Sequence, residues 1–399
     1  MTRLLVFAVV TALLTYWFHR RLVRATRLPR PWSAIVDSCL VVLWALAVIG
    51  IASGDQFATT WARPPGYVGW VWLGVGFYLL LGLLLIAIAS AIARLVSAAR
   101  RRRSTTAPSD SDDAGAGPTT GPTTGRTRLV VVRVATAAVV VGALVTTAYG
   151  VVVAAQPRVV DVQVTLPRLP AEFDGLRVAL VSDLHIGPAR GIGFTRRVVD
   201  QVNEQRPDLI LIAGDLIDGT VAKVASDLEP LAALSAPLGV FGVSGNHEFY
   251  ADDGGRWLDA WDRLGIRTLR NERVSIDRGA QSIDIVGIHD YTSPAPYEPD
   301  LPAALNGRDP ATFALLLAHE PRQAFEASDL GVDMQISGHT HGGQMWPFMY
   351  LVDLQQPSVS GLDKIGNTAL YTTRGAGAWG PPVRVGAPPE ITILELRGR

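Results

Sequence analysis

The chain has 399 residues, 48% of them hydrophobic, which is long enough for two domains. Its formal net charge of zero conceals two oppositely charged parts: residues 1–155 carry 15 Arg against 5 Asp/Glu, and residues 156–399 carry 21 Lys/Arg against 31 Asp/Glu. The acidic part would repel a phosphate backbone, which argues against nucleic acid as a main partner, and the single cysteine, Cys39, cannot close an internal disulfide and leaves the compartment open.

In chain order, the first half holds four apolar runs, at residues 4–18, 34–52, 68–93 and 134–154. The last three are near or above the ~20 residues a bilayer-spanning helix needs, and the first is shorter. His19-Arg20-Arg21 follows the first run where a signal peptide would have a small-residue cleavage site, so a retained helix is the better reading. Arginines crowd the loop after the first run and the linker after the third, whereas the loop between the second and third holds only Arg63. Positively charged loops stay in the cytoplasm, so alternation places everything after Ala154 outside the membrane. Residues 104–125 are low-complexity Ser/Thr/Gly/Pro sequence, expected to form a flexible linker. The expected division is a transmembrane region over 1–155 and a second domain over 156–399.

The texture then changes. Short apolar runs at 178–181, 209–213, 240–243, 283–288, 313–318 and 334–336 end in Gly, Asp or Asn, with amphipathic segments at 193–204 and 225–234. Strands alternating with helices predict an α/β domain whose sheets are buried on both faces. Ligands in such folds bind beyond the carboxyl ends of the strands.

Five short motifs close these runs: Ser182-Asp183-Leu184-His185, Gly214-Asp215-Leu216-Ile217-Asp218, Gly245-Asn246-His247-Glu248, Ala318-His319-Glu320 and Gly338-His339-Thr340-His341-Gly342. Each alone reads more readily as a turn, a helix cap or a solvated loop than as a functional site. Together they place five of the domain's six histidines at strand ends, in one order. Mixed imidazole and carboxylate ligands suit Zn, Fe or Mn, and a carboxylate can bridge two ions so that they clamp a phosphoryl displacement.

This ordered set resembles the calcineurin-like metallophosphoesterases, over residues 176–396, and within them the bacterial membrane-associated YkuE-like branch. The features closest to that branch are Gly338-His339-Thr340-His341-Gly342-Gly343-Gln344 and the Gly-rich tail at 373–384. The resemblance implies an α/β/β/α sandwich behind the transmembrane helices. It implies that Asp183, His185 and His341 hold one divalent metal, that Asn246, His319 and His339 hold a second, and that Asp215 bridges both. It also implies a metal-bridging hydroxide as nucleophile, with His247 facing the phosphate rather than binding metal, where it either protonates the leaving oxygen or stabilises developing charge. Asp218 is either a second-layer orienter or a helix cap. His289 is expected to be structural. Arg374 and Trp379 either contact substrate or belong to an ordinary closing loop, and Phe249 and Tyr250 either line the pocket or pack in the core.

The leading function is therefore metal-dependent hydrolysis of a phosphate ester or phosphoanhydride, soluble or lipid-linked, outside the membrane. One competitor is a catalytically silent sensor or scaffold, which would not require His247. A transporter is the other, weakened because Asp37 is nearly the sole ionisable residue in the apolar runs.

Overall fold

The computed structural model describes residues 2–104 and 122–398. Among these residues four helices are long and apolar enough to cross a bilayer. They are α1 (Thr2–His19), α2 (Arg30–Ala52), α3 (Thr59–Ser104) and α4 (Pro122–Ala154). Each extends past its apolar run. The run sets the part that lipid can cover; past Ala93 the sequence is rich in Ala and Arg, strong helix formers that let α3 continue to Ser104. Most of the expected linker, 105–121, lies outside the described residues; Pro122 to Gly125, also expected there, open α4.

The chain divides into two compact units: Met1–Ala45 with Trp72–Ala148, and Leu46–Val71 with Tyr149–Arg399. In the first, Phe18, Leu40, Val75, Leu79, Leu83 and Ala143 form the apolar centre. Asp37 is not unpartnered there: its carboxylate lies 2.6 Å from His19 Nδ1.

In the second unit twelve strands form two six-stranded sheets. One runs β1 (Arg158–Thr165), β12 (Glu390–Arg397), β2 (Leu176–Val181), β3 (Leu209–Ile212), β4 (Val240–Gly242), β5 (Arg267–Thr268). The other runs β10 (Gly361–Ile365), β11 (Thr368–Thr372), β9 (Met334–Ser337), β8 (Phe313–Leu317), β7 (Gln281–Gly287), β6 (Glu272–Arg278). Side chains alternate between faces along a strand. Val178, Leu180, Leu209 and Leu211 therefore meet Ile285, Leu315, Leu317 and Ile336 between the sheets. Their neighbours Ala179, Val181, Ile210 and Ile212 pack outward on α5 (Ile192–Glu204) and on Trp257 and Trp261. Val286, Ala314 and Leu316 do the same on the far side. This is the expected sandwich, and double-sided burial, worth ~1.5–3 kcal/mol per large side chain, is why the central strands read as unbroken apolar runs. Residues 225–234 depart from expectation: Ala225–Ala233 is a 3₁₀ helix, because Pro230 removes an amide and crowds an α-helical turn.

The hairpin joining α2 to α3 belongs to this second unit. Thr220 N–H donates to Gly54 O (2.9 Å), Arg63 Nε donates to Gly187 O (2.7 Å), and the Arg63 guanidinium pairs with Asp227.

Candidate metal centre

Parallel strands β2, β3 and β4 of one sheet and β8 and β9 of the other end at the same place. The loop after β2 carries Asp183 and His185, that after β3 Asp215, that after β4 Asn246 and His247, that after β8 His319, and that after β9 His339 and His341. Backbone bonds tie adjacent loops together: Asp183 N–H donates to Gly214 O (3.0 Å) and His185 N–H to Asp215 O (3.2 Å).

Asp183, His185, Asp215, His339 and His341 all have positive φ. Such left-handed backbone at a non-glycine residue costs on the order of 1–3 kcal/mol and persists where surroundings over-determine it. Here the surroundings are identifiable. Glu248, fully buried, accepts the amides of Gly245 (2.7 Å), Asp215 (3.0 Å) and Leu216 (3.0 Å), so it moulds the turn that aims Asp215. Burial and the Asp215 charge push the Glu248 carboxyl up to about 8, against the pull of those amides.

The ligand atoms form two groups that share Asp215 Oδ2. In one, His319 Nε2 lies 3.2 Å from Asp215 Oδ2, His339 Nδ1 lies 3.3 Å from His319 Nε2, and Asn246 Oδ1 lies 3.1 Å from His339 Nδ1. In the other, His341 Nε2 lies 3.2 Å from Asp183 Oδ1 and 3.0 Å from His185 Nε2, which is 3.8 Å from Asp215 Oδ2. Atoms held ~2.0–2.2 Å from one ion sit roughly 3.0–3.5 Å from each other, so the 3.0–3.3 Å contacts in both groups fit a divalent cation, and the 3.8 Å from His185 to Asp215 is the one longer spacing. Second contacts orient two of the rings: His319 Nδ1–H donates to Ala213 O (2.5 Å) and His185 Nδ1–H to Asp218 (3.1 Å), which turns each Nε2 toward its ligand group. Burial would lower the His319 pKa, but Asp215 and Asp183 hold it well above the ordinary imidazole range, so a metal there would displace its Nε2 proton. Burial alone would raise the Asp183 and Asp215 carboxyls; the surrounding imidazoles outweigh it and hold both below the ordinary range. Burial pushes His339 down to about 4 and His341 to about 3, keeping both in the neutral form a metal requires.

The calcineurin-like phosphoesterase family model matches residues 176–343, the stretch that holds every one of these side chains. A transmembrane protein with a metallophosphoesterase domain from Danio rerio is 37% identical over 62% of this chain and 60% of its own. An uncharacterized metallophosphoesterase from Helicobacter pylori is 37% identical over 61% of this chain and 64% of its own. The uncharacterized Bacillus subtilis metallophosphoesterase YkuE is 32% identical over 57% of this chain and 82% of its own. The chain belongs to the calcineurin-like metallophosphoesterases. It spans about three fifths of the length of the first two relatives.

Within this metallophosphoesterase site the remaining residues sort themselves by contact. His247 Nδ1 lies 2.5 Å from Asp218 Oδ1, and its Nε2 lies 4.0 Å from Asp215 Oδ2 beside a cavity of about 270 Å³. His247 is also within ligand reach of His185 and Asp215. Burial would lower its pKa, but Asp215 and Asp218 push it up to about 9. Asp218 is an orienter and no helix cap: one of its oxygens accepts from both His185 and His247, and Thr220 is the residue that precedes the next helix. His289 has the hydrogen-bond partner a buried imidazole needs, Ser244 Oγ at 3.2 Å, and burial holds it down to about 4. Tyr250 and Trp379 line the cavity. Phe249 packs against His289 and Tyr297 instead. Arg374 is committed to Glu390 (Nε to Oε2, 2.7 Å) and does not line the cavity.

Arg384 closes the Gly-rich tail, but the tail did not announce its role. It is fully buried and is satisfied by main-chain carbonyls, donating to His341 O (2.6 Å), Gly377 O (2.7 Å) and Arg374 O (2.8 Å), with Nη2 also 3.0 Å from His341 Nδ1. Each orphaned carbonyl costs ~1–3 kcal/mol. Arg384→Ala is therefore expected to lower unfolding stability by roughly 3 kcal/mol or more, read by denaturation in detergent, and to lower metal content through the loosened His341. A variant as stable as wild type would remove Arg384 from this supporting role.

Proposed function

We propose that the chain is a membrane-anchored, two-metal phosphohydrolase whose active site faces the outside of the cytoplasmic membrane. The observation that carries the reading is the pair of ligand groups sharing Asp215 Oδ2, with His247 aimed into the same cavity. Asp183, His185 and His341 would hold one ion, Asn246, His319 and His339 the other, and Asp215 would serve both. Divalent Mn, Fe or Zn ions bound there would polarise phosphoryl oxygens and lower the pKa of water.

The chain's own residues do the rest. Asp218 fixes the His247 ring so that Nε2–H points at the leaving oxygen. Water adds its oxygen to phosphorus and gives up one proton to solvent, the bond from phosphorus to the ester or anhydride oxygen breaks, and the proton on His247 Nε2 goes to that departing oxygen, His247 being reprotonated from solvent afterwards. A silent sensor needs the metals but has no use for an oriented, protonated imidazole beside them, which favours the enzyme. The test is a panel of phosphomonoesters, phosphodiesters and pyrophosphates on the full-length protein in detergent with Mn, Fe or Zn added. Hydrolysis that chelators abolish is expected; inactivity across the panel would return the sensor reading.

The outside placement rests on the loop arginines, and the α2–α3 hairpin is consistent with it. Alternation puts that hairpin on the same side as the domain, and Gly54 and Arg63 are bonded to the domain's own loops. A C-terminal alkaline phosphatase fusion is expected to be active and a fluorescent protein that matures only in the cytoplasm dark. The reverse pair of results overturns the orientation.

A further inference from the structure

We propose that the site hydrolyses a lipid-borne phosphoester, with its phosphate in the metal cavity and the segment at 346–354 seated in the leaflet beside it. This rests on the phosphohydrolase reading above and adds the substrate class.

One rim of the cavity is formed by Phe348 and Val352 and another by Trp379. Around them the surface is apolar and open: Trp346 is 53% exposed, Tyr350 65%, Leu351 54%, Leu354 81% and Trp379 52%. A water-soluble hydrolase for a small polar ester gains nothing from crowding large apolar side chains at its mouth, and a contiguous patch of this kind marks a binding surface.

What covers the patch follows from what the patch is joined to. Trp346 N–H donates to Val385 O (2.9 Å), and the neighbouring Arg384 N–H donates to Gly150 O (3.0 Å), inside α4. Gly150 lies so close to this segment that a Cβ there would meet Val383 Cγ1 at 2.5 Å. On the other rim, Gln344 Nε2 donates to Trp379 O (2.7 Å), and a Cβ on Gly380 would stand 3.1 Å from the Trp70 ring of α3. Gly150 and Trp70 both fall inside spans apolar enough to cross a bilayer. The lip thus continues from a segment packed on membrane-helix surface. Only residues 155–157 separate α4 from β1, so the cavity stays at the bilayer. Aromatic residues with an apolar body and a polar edge, such as Trp346, Tyr350 and Trp379, are those favoured at a bilayer's interfacial layer. A lipid whose chains remain in the leaflet can therefore present its headgroup phosphate to the cavity, where hydrolysis adds water across the P–O bond, leaves the lipid as its alcohol or its shortened phosphate, and releases inorganic phosphate to water.

The test uses full-length protein in phosphatidylcholine vesicles with added Mn. The probes are dioleoyl phosphatidic acid, dioleoyl phosphatidylglycerol phosphate and a long polyprenyl diphosphate, each beside its short-chain, water-soluble counterpart, together with p-nitrophenyl esters. At least one long-chain lipid should be turned over about tenfold or more faster than its short-chain form, because both partners share one surface. Leu351→Glu with Leu354→Glu should cut that ratio about tenfold. Independently of activity, a nitrobenzoxadiazole dye on Leu354→Cys in a Cys39→Ser background should emit as in an apolar medium and be quenched by doxyl-labelled lipid. Nitrophenyl ester hydrolysis with no long-chain preference overturns the lipid inference and leaves the phosphohydrolase reading standing. Inactivity toward every probe brings down the hydrolase reading, and the dye then judges the membrane contact alone. Water-like emission, or a shift that follows protein concentration in detergent instead of lipid, overturns the inference, the latter assigning the lip to a second copy of the chain.

Discussion

His247→Gln is expected to keep its metals and lose roughly 10²–10⁴ in turnover, the usual contribution of a positioned proton donor. The ring's two nitrogens have different surroundings. Nδ1 is held by Asp218 at 2.5 Å, so the ring cannot turn to offer that nitrogen elsewhere, and Nε2 faces the cavity. The other His held by Asp218, His185, has its Nε2 at 3.0 Å from His341 Nε2, within the ligand group; His247 Nε2 stands 4.0 Å from Asp215. One carboxylate thus aims one imidazole at a metal position and another at the substrate. Gln fills nearly the same volume and can still meet Asp218, but it has no proton to give. The loss should shrink for p-nitrophenyl esters, whose leaving oxygen needs little protonation, and grow for alkyl esters. Turnover measured on both ester types, with metal content read by elemental analysis, separates the roles. A variant that loses metal instead would make His247 a ligand.

The legible part of this protein was the part where both faces of a strand are dry. Runs such as 209–213 and 313–318 have no polar face to interrupt them, and the ligands follow directly because each run stops where its loop turns into the site. The strands that went unread are those with mixed faces. β10 is largely exposed, and β12 alternates apolar and polar residues through Glu395 although it lies between β1 and β2. The roles of Glu248 and Arg384 were not legible for another reason. Their meaning lies in contacts 33 and 43 residues away in sequence, on backbone groups that no motif records. The same holds for Arg63, whose partner Asp227 is 164 residues distant, so a hairpin that reads as a plain membrane loop turns out to belong to the phosphoesterase unit. Positive φ at Asp183, His185, Asp215, His339 and His341 was also hidden, since the neighbouring glycines suggest flexibility while the strain sits on the ligands themselves.

Asp215→Asn is expected to empty both metal positions while leaving the fold in place. Asp215 uses its two oxygens differently. Oδ1 accepts the His247 amide at 2.9 Å and so belongs to the turn, whereas Oδ2 faces His319 at 3.2 Å and His185 at 3.8 Å and is the atom common to both ligand groups. Asn has the same shape, and its oxygen can continue to accept from His247. Its nitrogen then occupies the shared position, with no charge and with hydrogens where a cation would sit. Loss of a mere outer-layer partner costs metal sites roughly 10–100-fold in affinity, so replacement of a shared ligand should cost at least that at both positions. Two readouts follow. Elemental analysis should find the variant depleted in both ions relative to wild type. Thermal unfolding in detergent should show wild type stabilised by added metal, by about 2.7 kcal/mol when the free ion stands at 100 times its Kd, and the variant insensitive to the same addition. Metal-free wild type and metal-free variant should unfold close together, which distinguishes lost binding from a damaged fold. Full occupancy of both ions in Asp215→Asn would take the bridging role away from this carboxylate and, with it, the reason for the two ligand groups to meet where they do.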